Sequence, residues 1–328
     1  MWEHERLVVR TGPRSGMTTM VALHSTEAGP AVGGCRMKAY ERITDAVTDV
    51  LRLSKAMALK CAAAGIPHGG AKSVIVVDRP LTPGLRRQVL LDHADLIDEF
   101  GGAYRAGPDV GTGPDDMLVL SELTPYVYCL PEEHGGTGSS SGPTARGVLA
   151  ALKAASRHVF GTDDLTGRKV VISGFGSVGE LIAKALRGAE VIVSDVDESR
   201  RTDEFGWVHP DQAYRVKADV LVPAAVGGVL SPQVVEQLDV RLVVGPANNQ
   251  LTDDSVAGLL EARGIVWVPD HVASAGGVIY TLAREDDGAD HETALRRVDG
   301  IGVTAGKLLR ARQREDSGMT VNAGSMGA

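Results

Sequence analysis

The feature that most constrains the fold is a glycine-rich turn, with the sequence GFGSVG, at residues 174–179. An apolar run over residues 168–173 predicts a buried strand before the turn, and residues 180–187 predict a helix after it. Residues 190–194 predict the next strand, which ends at Asp195, 21 residues after the first glycine. A glycine turn alone indicates little, but this order of strand, turn, helix and acid is typical of a dinucleotide-binding α/β unit.

The chemistry of a dinucleotide assigns a role to each residue of this unit. The predicted phosphate-binding residues are Gly174, Gly176, Ser177, Val178 and Gly179. Asp195 is predicted to bind the adenosine ribose hydroxyls, where its carboxylate would repel a 2′-phosphate. The sequence therefore favours NAD over NADP, although Arg200 and Arg201 follow closely and keep NADP open as an alternative.

The alternation of strands and helices continues through residues 144–284, which predicts a doubly wound parallel sheet, a Rossmann-type domain. Further strands are predicted at residues 219–223, 241–245 and 265–268. Ligands bind at the carboxyl ends of such strands, where Ala225, Asn248 and Asn249 lie. We expect Ala225 and Asn248 to contact the nicotinamide half of the cofactor, although Asn248 and Asn249 also suit an ordinary turn.

Residues 1–135 predict a separate α/β domain that binds the other reactant. Strands are predicted at residues 6–11, 17–23 and 73–78, and helices at residues 43–61 and 81–100. The glycine-rich stretches at residues 29–36 and 105–116 predict loops, and residues 133–143 form the strongest break in composition. The overall prediction is therefore two α/β domains with a cleft between them.

Two lysines in the first domain lie in surroundings that suit chemistry. Lys60 falls near the end of the helix predicted at residues 43–61, and Lys72 directly precedes the buried strand predicted at residues 73–78. A lysine near a second cation and away from water has a lowered pKa, which allows it to act as a base near neutral pH. Lys60 and Arg36 could hold a carboxylate, and Asp109 could relay protons for Lys72. Each of these residues could equally be structural, in a helix-end contact, a surface ion pair or a turn.

Composition excludes several classes of function. The net charge of −8 argues against a general surface for nucleic acid or anionic membranes, and no apolar run is long enough to span a bilayer. The three cysteines are widely spaced and predict neither disulfides nor a metal site, so we expect a protein of the reducing cytoplasm without a metal.

Seven motifs, in this order, resemble the glutamate/leucine/phenylalanine/valine dehydrogenases, and the phenylalanine and leucine branch most. The motifs lie at residues 29–36, 60–72, 107–112, 142–147, 174–179, 245–249 and 269–277. The resemblance implies that Lys60 binds a substrate carboxylate, with help from the backbone of Gly33 and Gly34. It also implies that Lys72 is the general base, Asp109 its proton-relay partner, and Thr144 a neighbour of the nicotinamide carboxamide.

Several residues depart from the family pattern or bear on the substrate. Ser274 stands where the family usually has a substrate-contacting asparagine, and His68 stands where leucine or methionine is usual, so both are predicted substrate contacts. Gly107 is also a predicted contact, because a small residue leaves room for a large side chain. The resemblance further implies that the last helices, about residues 285–315, pack back on the first domain. Residues 315–328 lack the family's usual closing helix and are expected to form a mobile tail.

These observations predict NAD-dependent oxidative deamination of a neutral, bulky L-amino acid to its 2-oxo acid and ammonia, together with the reverse reaction. Two alternatives remain: a reductive aminase for a specialised biosynthetic 2-oxo acid, and a non-catalytic NAD-binding protein on this scaffold. A homo-oligomer is expected, with the hairpin at residues 6–23 as a pairing edge.

Overall fold

The computed structural model describes residues 2–316, which form two α/β domains on either side of a cleft. The strands of the first domain are β1 Arg6–Thr11, β2 Thr18–Ser25, β3 Ala31–Lys38, β4 Gly69–Val76 and β5 Tyr104–Pro108. Its helices are α1 Ile43–Ala64, α2 Pro83–Asp98 and α3 Pro114–Leu120. Thr82 caps α2 by accepting a hydrogen bond from the backbone of Leu85, with proline in the first turn as the sequence predicts.

The first sheet has the strand order β1-β2-β4-β3-β5. Side chains alternate across it, so Met20 and Val74 pack under α1, whereas Val21 and Ile75 pack on the opposite face with α2. Strand β3 is parallel to both β4 and β5, which brings the carboxyl-terminal part of β5 beside the middle of β3 and β4. This arrangement places the centre of the sheet at the cleft.

The prediction of a loop at residues 29–36 is wrong, because most of this stretch is strand β3. A Cβ atom on Gly33 would lie 1.8 Å from the carbonyl oxygen of Ala71 on β4. The glycines there allow close contact between strands and do not form a turn. Likewise, the stretch at residues 105–116 contains β5 and the start of α3, and Lys72 lies inside β4 instead of before it.

The second domain contains the predicted parallel sheet. Its strands are β6 Lys169–Ser173, β7 Glu190–Ser194, β8 Gly206–Trp207, β9 Val220–Pro223, β10 Leu242–Val243 and β11 Val266–Trp267. Its helices are α4 Ser141–Phe160, α5 Ser177–Ala185, α6 Pro210–Ala213, α7 Pro232–Gln237, α8 Val256–Ala262, α9 Asp270–Ala273, α10 Gly276–Glu285 and α11 His291–Asp316. The strand order β11-β10-β9-β6-β7-β8 reverses direction between β6 and β9, which opens a crevice at their carboxyl ends.

Buried side chains of β6 point alternately to the two faces of this sheet. Val170 and Ile172 belong to the core under α4, α10 and α11, and Val171 belongs to the core under α7 and α8. This covering of both faces is the doubly wound arrangement that the sequence predicts. The fold class is thereby confirmed.

The last helices contact both domains. Helix α11 lies chiefly against α4, through Val298 and Ile301, and also contacts α1 of the first domain. The end of α10 does reach the first domain, through Glu285 and Asp286. From residue 317 onward, the predicted mobile tail lies outside the described residues.

Two further observations bear on the expectations from composition. Between residues 2 and 316, no helix combines the length and apolar character needed to cross a membrane. Cys35, Cys61 and Cys129 are buried as free thiols.

Candidate active site

A cleft of about 590 Å³ separates the two domains. One wall comes from α1 and the sheet of the first domain, and the other from α4, α5, α10 and the carboxyl ends of β9 and β10. Eleven of the predicted site residues line this cleft. Those that line the cleft are Gly33, Lys60, Lys72, Gly107, Asp109, Thr144, Ser177, Val178, Ala225, Asn248 and Ser274.

Lys72 and Asp109 form a buried ion pair at the floor of the cleft. The Nζ atom of Lys72 lies 3.1 Å from Oδ2 of Asp109, and the Lys72 side chain is only 5% exposed. The same oxygen accepts a hydrogen bond of 2.7 Å from Nε of Arg36, whose Nη1 contacts Asp49 at 2.9 Å. The lysine therefore shares its carboxylate with a second cation.

Burial and charge set the protonation of this pair. Burial lowers the pKa of Lys72, and the carboxylate of Asp109 opposes that shift. Burial alone would raise the pKa of Asp109, but Lys72 and Arg36 outweigh it and hold the pKa well below its usual range. Asp109 is consequently an anion at neutral pH, and Lys72 loses its proton more readily than an ordinary lysine.

Glycines on β3 make room for this pair. A Cβ atom on Gly34 would lie 2.8 Å from Cβ of Asp109 and 3.1 Å from Nζ of Lys72. Gly34 does not itself line the cleft, whereas Gly33 beside it does. A larger residue at position 34 would push Lys72 and Asp109 apart. The structure therefore requires glycine there whether or not its backbone contacts substrate.

Lys60 lies across the cleft from the second domain and contacts it directly. Its Nζ atom donates a hydrogen bond of 2.8 Å to Oδ1 of Asn248, which follows β10. Burial lowers the pKa of Lys60 to about 8, and Asp270 opposes the shift. Lys60 is thus mainly an ammonium at pH 7, a cation suited to a substrate carboxylate.

The glycine turn has a shape that fits a dinucleotide. Gly174 has a φ of +111°, and a Cβ atom on it would lie 2.5 Å from the backbone nitrogen of Ala225. A Cβ atom on Gly179 would lie 2.1 Å from the carbonyl oxygen of Gly174, whereas one on Gly176 would meet no described atom within 4 Å. The outer glycines are therefore required by packing, and Gly176 leaves an open approach to the start of α5.

Asp195 lies at the carboxyl end of β7, where a ribose would lie. Its Oδ2 accepts a hydrogen bond of 2.8 Å from the backbone of Phe175, and its Oδ1 accepts one of 3.0 Å from the backbone of Asp197. Arg200 is nearby, with Nε 4.0 Å from Asp195 and Nη1 bonded to the carbonyl of Phe175. The carboxylate is held in place by backbone groups and keeps further lone pairs for ribose hydroxyls.

An apolar surface joins the two domains beside the lysines. Val32, Tyr128, Cys129 and Leu282 are buried together there, and all four line the cleft. A Cβ atom on Gly107 would meet no described atom within 4 Å, so this glycine leaves open space next to that surface. The space suits a large apolar side chain.

Ser274 lies in the second domain and faces the same space. The residue is 6% exposed, and its Oγ atom is buried without a hydrogen-bond partner among the described residues. A buried hydroxyl without a partner costs free energy, and the contact of Ser274 with substrate stays a prediction.

His68 does not line the cleft, which corrects the prediction that it contacts substrate. The chain bends before β4 begins at Gly69, and the His68 ring instead lies against Asp286, with Nε2 3.1 Å from Oδ2. Its position in the loop between the two lysines suggested a pocket residue, but the bend directs it to the domain junction.

The sequence did not identify Asp49 as part of the site, and it predicted Asn248 as a cofactor contact and not as the partner of Lys60. Asp49 holds Arg36 and thereby prevents it from acting as a free carboxylate ligand. Asn248 partners Lys60, a contact between residues 188 positions apart. Asp49 had a detectable signal, because it lies on the helical stripe that includes Leu53, Met57 and Lys60 and lines the cleft.

The comparisons with known proteins decide the family. Residues 4–125 match the family model described as Glu/Leu/Phe/Val dehydrogenase, dimerisation domain. Residues 135–200 and 193–283 match the model described as Glutamate/Leucine/Phenylalanine/Valine dehydrogenase. The chain belongs to this family. It is an amino acid dehydrogenase with a nicotinamide dinucleotide as its cofactor, which confirms the resemblance seen in the motifs.

Individual relatives cover nearly the whole chain. A phenylalanine dehydrogenase from Lysinibacillus sphaericus is 39% identical over 312 residues, 91% of this chain and 81% of the relative. A leucine dehydrogenase from Bacillus cereus is 37% identical over 323 residues, 96% of this chain and 87% of the relative. The crystal structure of L-tryptophan dehydrogenase from Nostoc punctiforme is similar with a TM-score of 0.73 and 30% identity, covering 97% of this chain and 92% of that one.

Proposed function

We propose that this dehydrogenase uses NAD to deaminate a neutral, bulky L-amino acid to its 2-oxo acid and ammonia. The observation that carries the proposal is the buried pair of Lys72 and Asp109, with Lys60 on the same wall of the cleft and the glycine turn contributing Ser177 and Val178 to the opposite wall. Relatives named for phenylalanine, leucine and tryptophan support a large, uncharged side chain. They give no support to a specialised reductive aminase or to a non-catalytic NAD-binding protein.

In this proposal Lys60 holds the substrate α-carboxylate. The carboxylate replaces the amide oxygen of Asn248 as the partner of the ammonium, and a charged acceptor makes the stronger hydrogen bond. Backbone at Gly33 lines the same corner of the cleft. The α-carbon is thereby placed between Lys72 and the second domain.

Lys72 acts as the general base in its neutral form. NAD bound in the crevice would accept the hydride from the α-carbon, which leaves the substrate as an iminium. Lys72 removes a proton from water as the water oxygen bonds to the iminium carbon. Asp109 stabilises the ammonium of Lys72 and relays its proton to the amine of the substrate. The C–N bond then breaks and releases ammonia. The hydroxyl proton of the substrate passes to Lys72 as the ketone forms.

Asp195 favours NAD over NADP in this proposal. Its carboxylate is fixed by the backbone of Phe175 and Asp197 at the position expected for the ribose hydroxyls, and a 2′-phosphate there would meet a negative charge. In this proposal the rest of the cofactor contacts cleft residues of the second domain, which are Thr144, Ser177, Val178, Ala225 and Asn248.

The proposal extends to assembly and compartment. Strand β1 is an edge strand with Val9 46% exposed, and the matching family model is described as a dimerisation domain. We place the homo-oligomer contact on the β1–β2 hairpin, which light scattering of wild type and a Val9→Lys variant would test. The three buried free thiols suit the reducing cytoplasm.

The decisive experiment is a screen of L-amino acids with NAD and with NADP, followed by the absorbance of the reduced cofactor. We expect turnover of large neutral amino acids with NAD, and a loss of about 10²–10⁴-fold in Lys72→Ala. Lys55→Ala is the matched control, because Lys55 is an exposed α1 residue paired with Glu3. Unchanged turnover in Lys72→Ala, or activity only with NADP, would refute the corresponding part of the proposal.

A further inference from the structure

A polar cluster closes the far end of the apolar space, at the junction of the two domains. Asp286, directly after α10, accepts hydrogen bonds from the hydroxyl of Tyr128 at 2.9 and 2.8 Å. His68 reaches its Oδ2 at 3.1 Å, and Nη1 of Arg105 reaches its Oδ1 at 3.2 Å. Asp286, a residue of the second domain, therefore holds three side chains of the first domain in place.

Strand β5 directs Arg105 toward the substrate space. Tyr104 and Ala106 are buried in the core on one face of the strand, so Arg105 and Gly107 lie on the other face, and both line the cleft. Asp109 continues the same row at the reacting end. Two residues along a strand span roughly 7 Å, so a side chain that passes Gly107 extends toward Arg105.

The guanidinium of Arg105 has unused hydrogen-bond donors. Nη1 makes both of its contacts with protein side chains, 3.0 Å to the hydroxyl of Tyr128 and 3.2 Å to Asp286. Its Nε atom is buried without a partner among the described residues. Its Nη2 atom makes no hydrogen bond with the described residues and is not buried, so this charged donor is free for an acceptor on the ligand.

Resting on the proposed function, we propose that Arg105 recognises a neutral oxygen atom at the distal end of the substrate's side chain. The substrate class is a bulky amino acid whose side chain ends in a hydroxyl or carbonyl group, such as a phenol. A neutral oxygen fits better than a carboxylate, because the charge of Arg105 is already balanced by Asp286 and a substrate carboxylate would lie beside that anion.

The test compares substrates that differ by one oxygen: phenylalanine with tyrosine, and norleucine with its 6-hydroxy analogue. A hydrogen bond to a charged donor is worth about 1.5–3 kcal/mol, which predicts that kcat/KM of the wild type favours the hydroxylated partner by about 10- to 100-fold. Arg105→Met should remove most of this preference, because it weakens turnover of the hydroxylated partner more than turnover of the plain partner. Arg105→Lys keeps the positive charge but loses the planar guanidinium group. It should give an intermediate ratio of kcat/KM between the hydroxylated and the plain substrate.

The control is Arg87→Met, since Arg87 is an exposed α2 residue paired with Glu122 and should leave the ratio unchanged. A wild-type ratio of one or less, an unchanged ratio in Arg105→Met, or a preference for 2-aminoadipate over all neutral substrates would overturn the inference. If no amino acid is turned over, the proposed function fails separately. The ratio of dissociation constants for phenylalanine and tyrosine, measured by calorimetry with NAD present, still tests Arg105.

Discussion

Replacement of Asp109 by asparagine should move the pH dependence of the reaction toward acid. The carboxylate lies 3.1 Å from the Lys72 amine and favours its charged form. An opposite charge so close shifts a pKa by about 1–3 units, or about 1.4–4 kcal/mol. Without that charge, the pKa of Lys72 falls further, because burial still lowers it and Arg36 still repels the ammonium.

The assay is kcat/KM for the best amino acid measured from acid to alkaline pH. Activity rises with pH as Lys72 loses its proton, so the acid limb of Asp109→Asn should lie about 1–3 pH units below that of the wild type. The plateau should fall by roughly 10²-fold, because the proton relay is lost and the base is weaker.

Asp49→Asn is the matched control for this experiment. This substitution removes the carboxylate that pairs with Arg36 and keeps the one that pairs with Lys72. It should therefore shift the acid limb of the pH profile much less. Thermal unfolding of both variants reports any loss of folding. An acid limb of Asp109→Asn at the wild-type pH, or an equal shift of the acid limb in Asp49→Asn, would refute this prediction.

Three further predictions concern the cofactor, the substrate and stability. Asp195→Ala should raise the ratio of kcat/KM with NADP to that with NAD by about 10-fold or more, and an unchanged ratio would exclude the ribose role of Asp195. Gly107→Leu should lower kcat/KM for phenylalanine by about 10-fold while valine is less affected, because the added side chain fills open space; equal losses for both would contradict this. Burial lowers the pKa of His93 to about 3, so unfolding free energy should fall as pH drops from about 6.5 toward 3, by up to about 1.4 kcal/mol per pH unit. His93→Gln should show a shallower slope in urea unfolding at these pH values, and an identical slope would count against it.

The second domain was predicted well because its signals are local. The glycine turn, the flanking strands and Asp195 each follow from a few neighbouring residues, and β7 has the predicted bounds. The first domain was predicted less well because its glycines serve contacts between strands. Gly33 and Gly34 indicate a turn locally, whereas the positions of Ala71 and Asp109 require them in a strand.

The two lysines and the pairing of Asp109 with Lys72 were predicted, but the partner of Lys60 was not. The contact of Lys60 with Asn248 joins the two domains, and neighbouring sequence carries no signal for it. His68 shows the converse error, because closeness in sequence to both lysines does not place it in the cleft. Pairing across a cleft depends on how whole domains pack, which periodicity does not encode.

The hydrogen bond between Lys60 and Asn248 gives the buried ammonium a partner within the protein itself. A buried ammonium left bare between turnovers would be unstable or would attract any small anion, such as phosphate or chloride. The amide covers it with a weak, neutral partner, so an arriving ligand must offer a better one to enter. A carboxylate that replaces the amide at Lys60 would therefore also remove one hydrogen bond between the two domains.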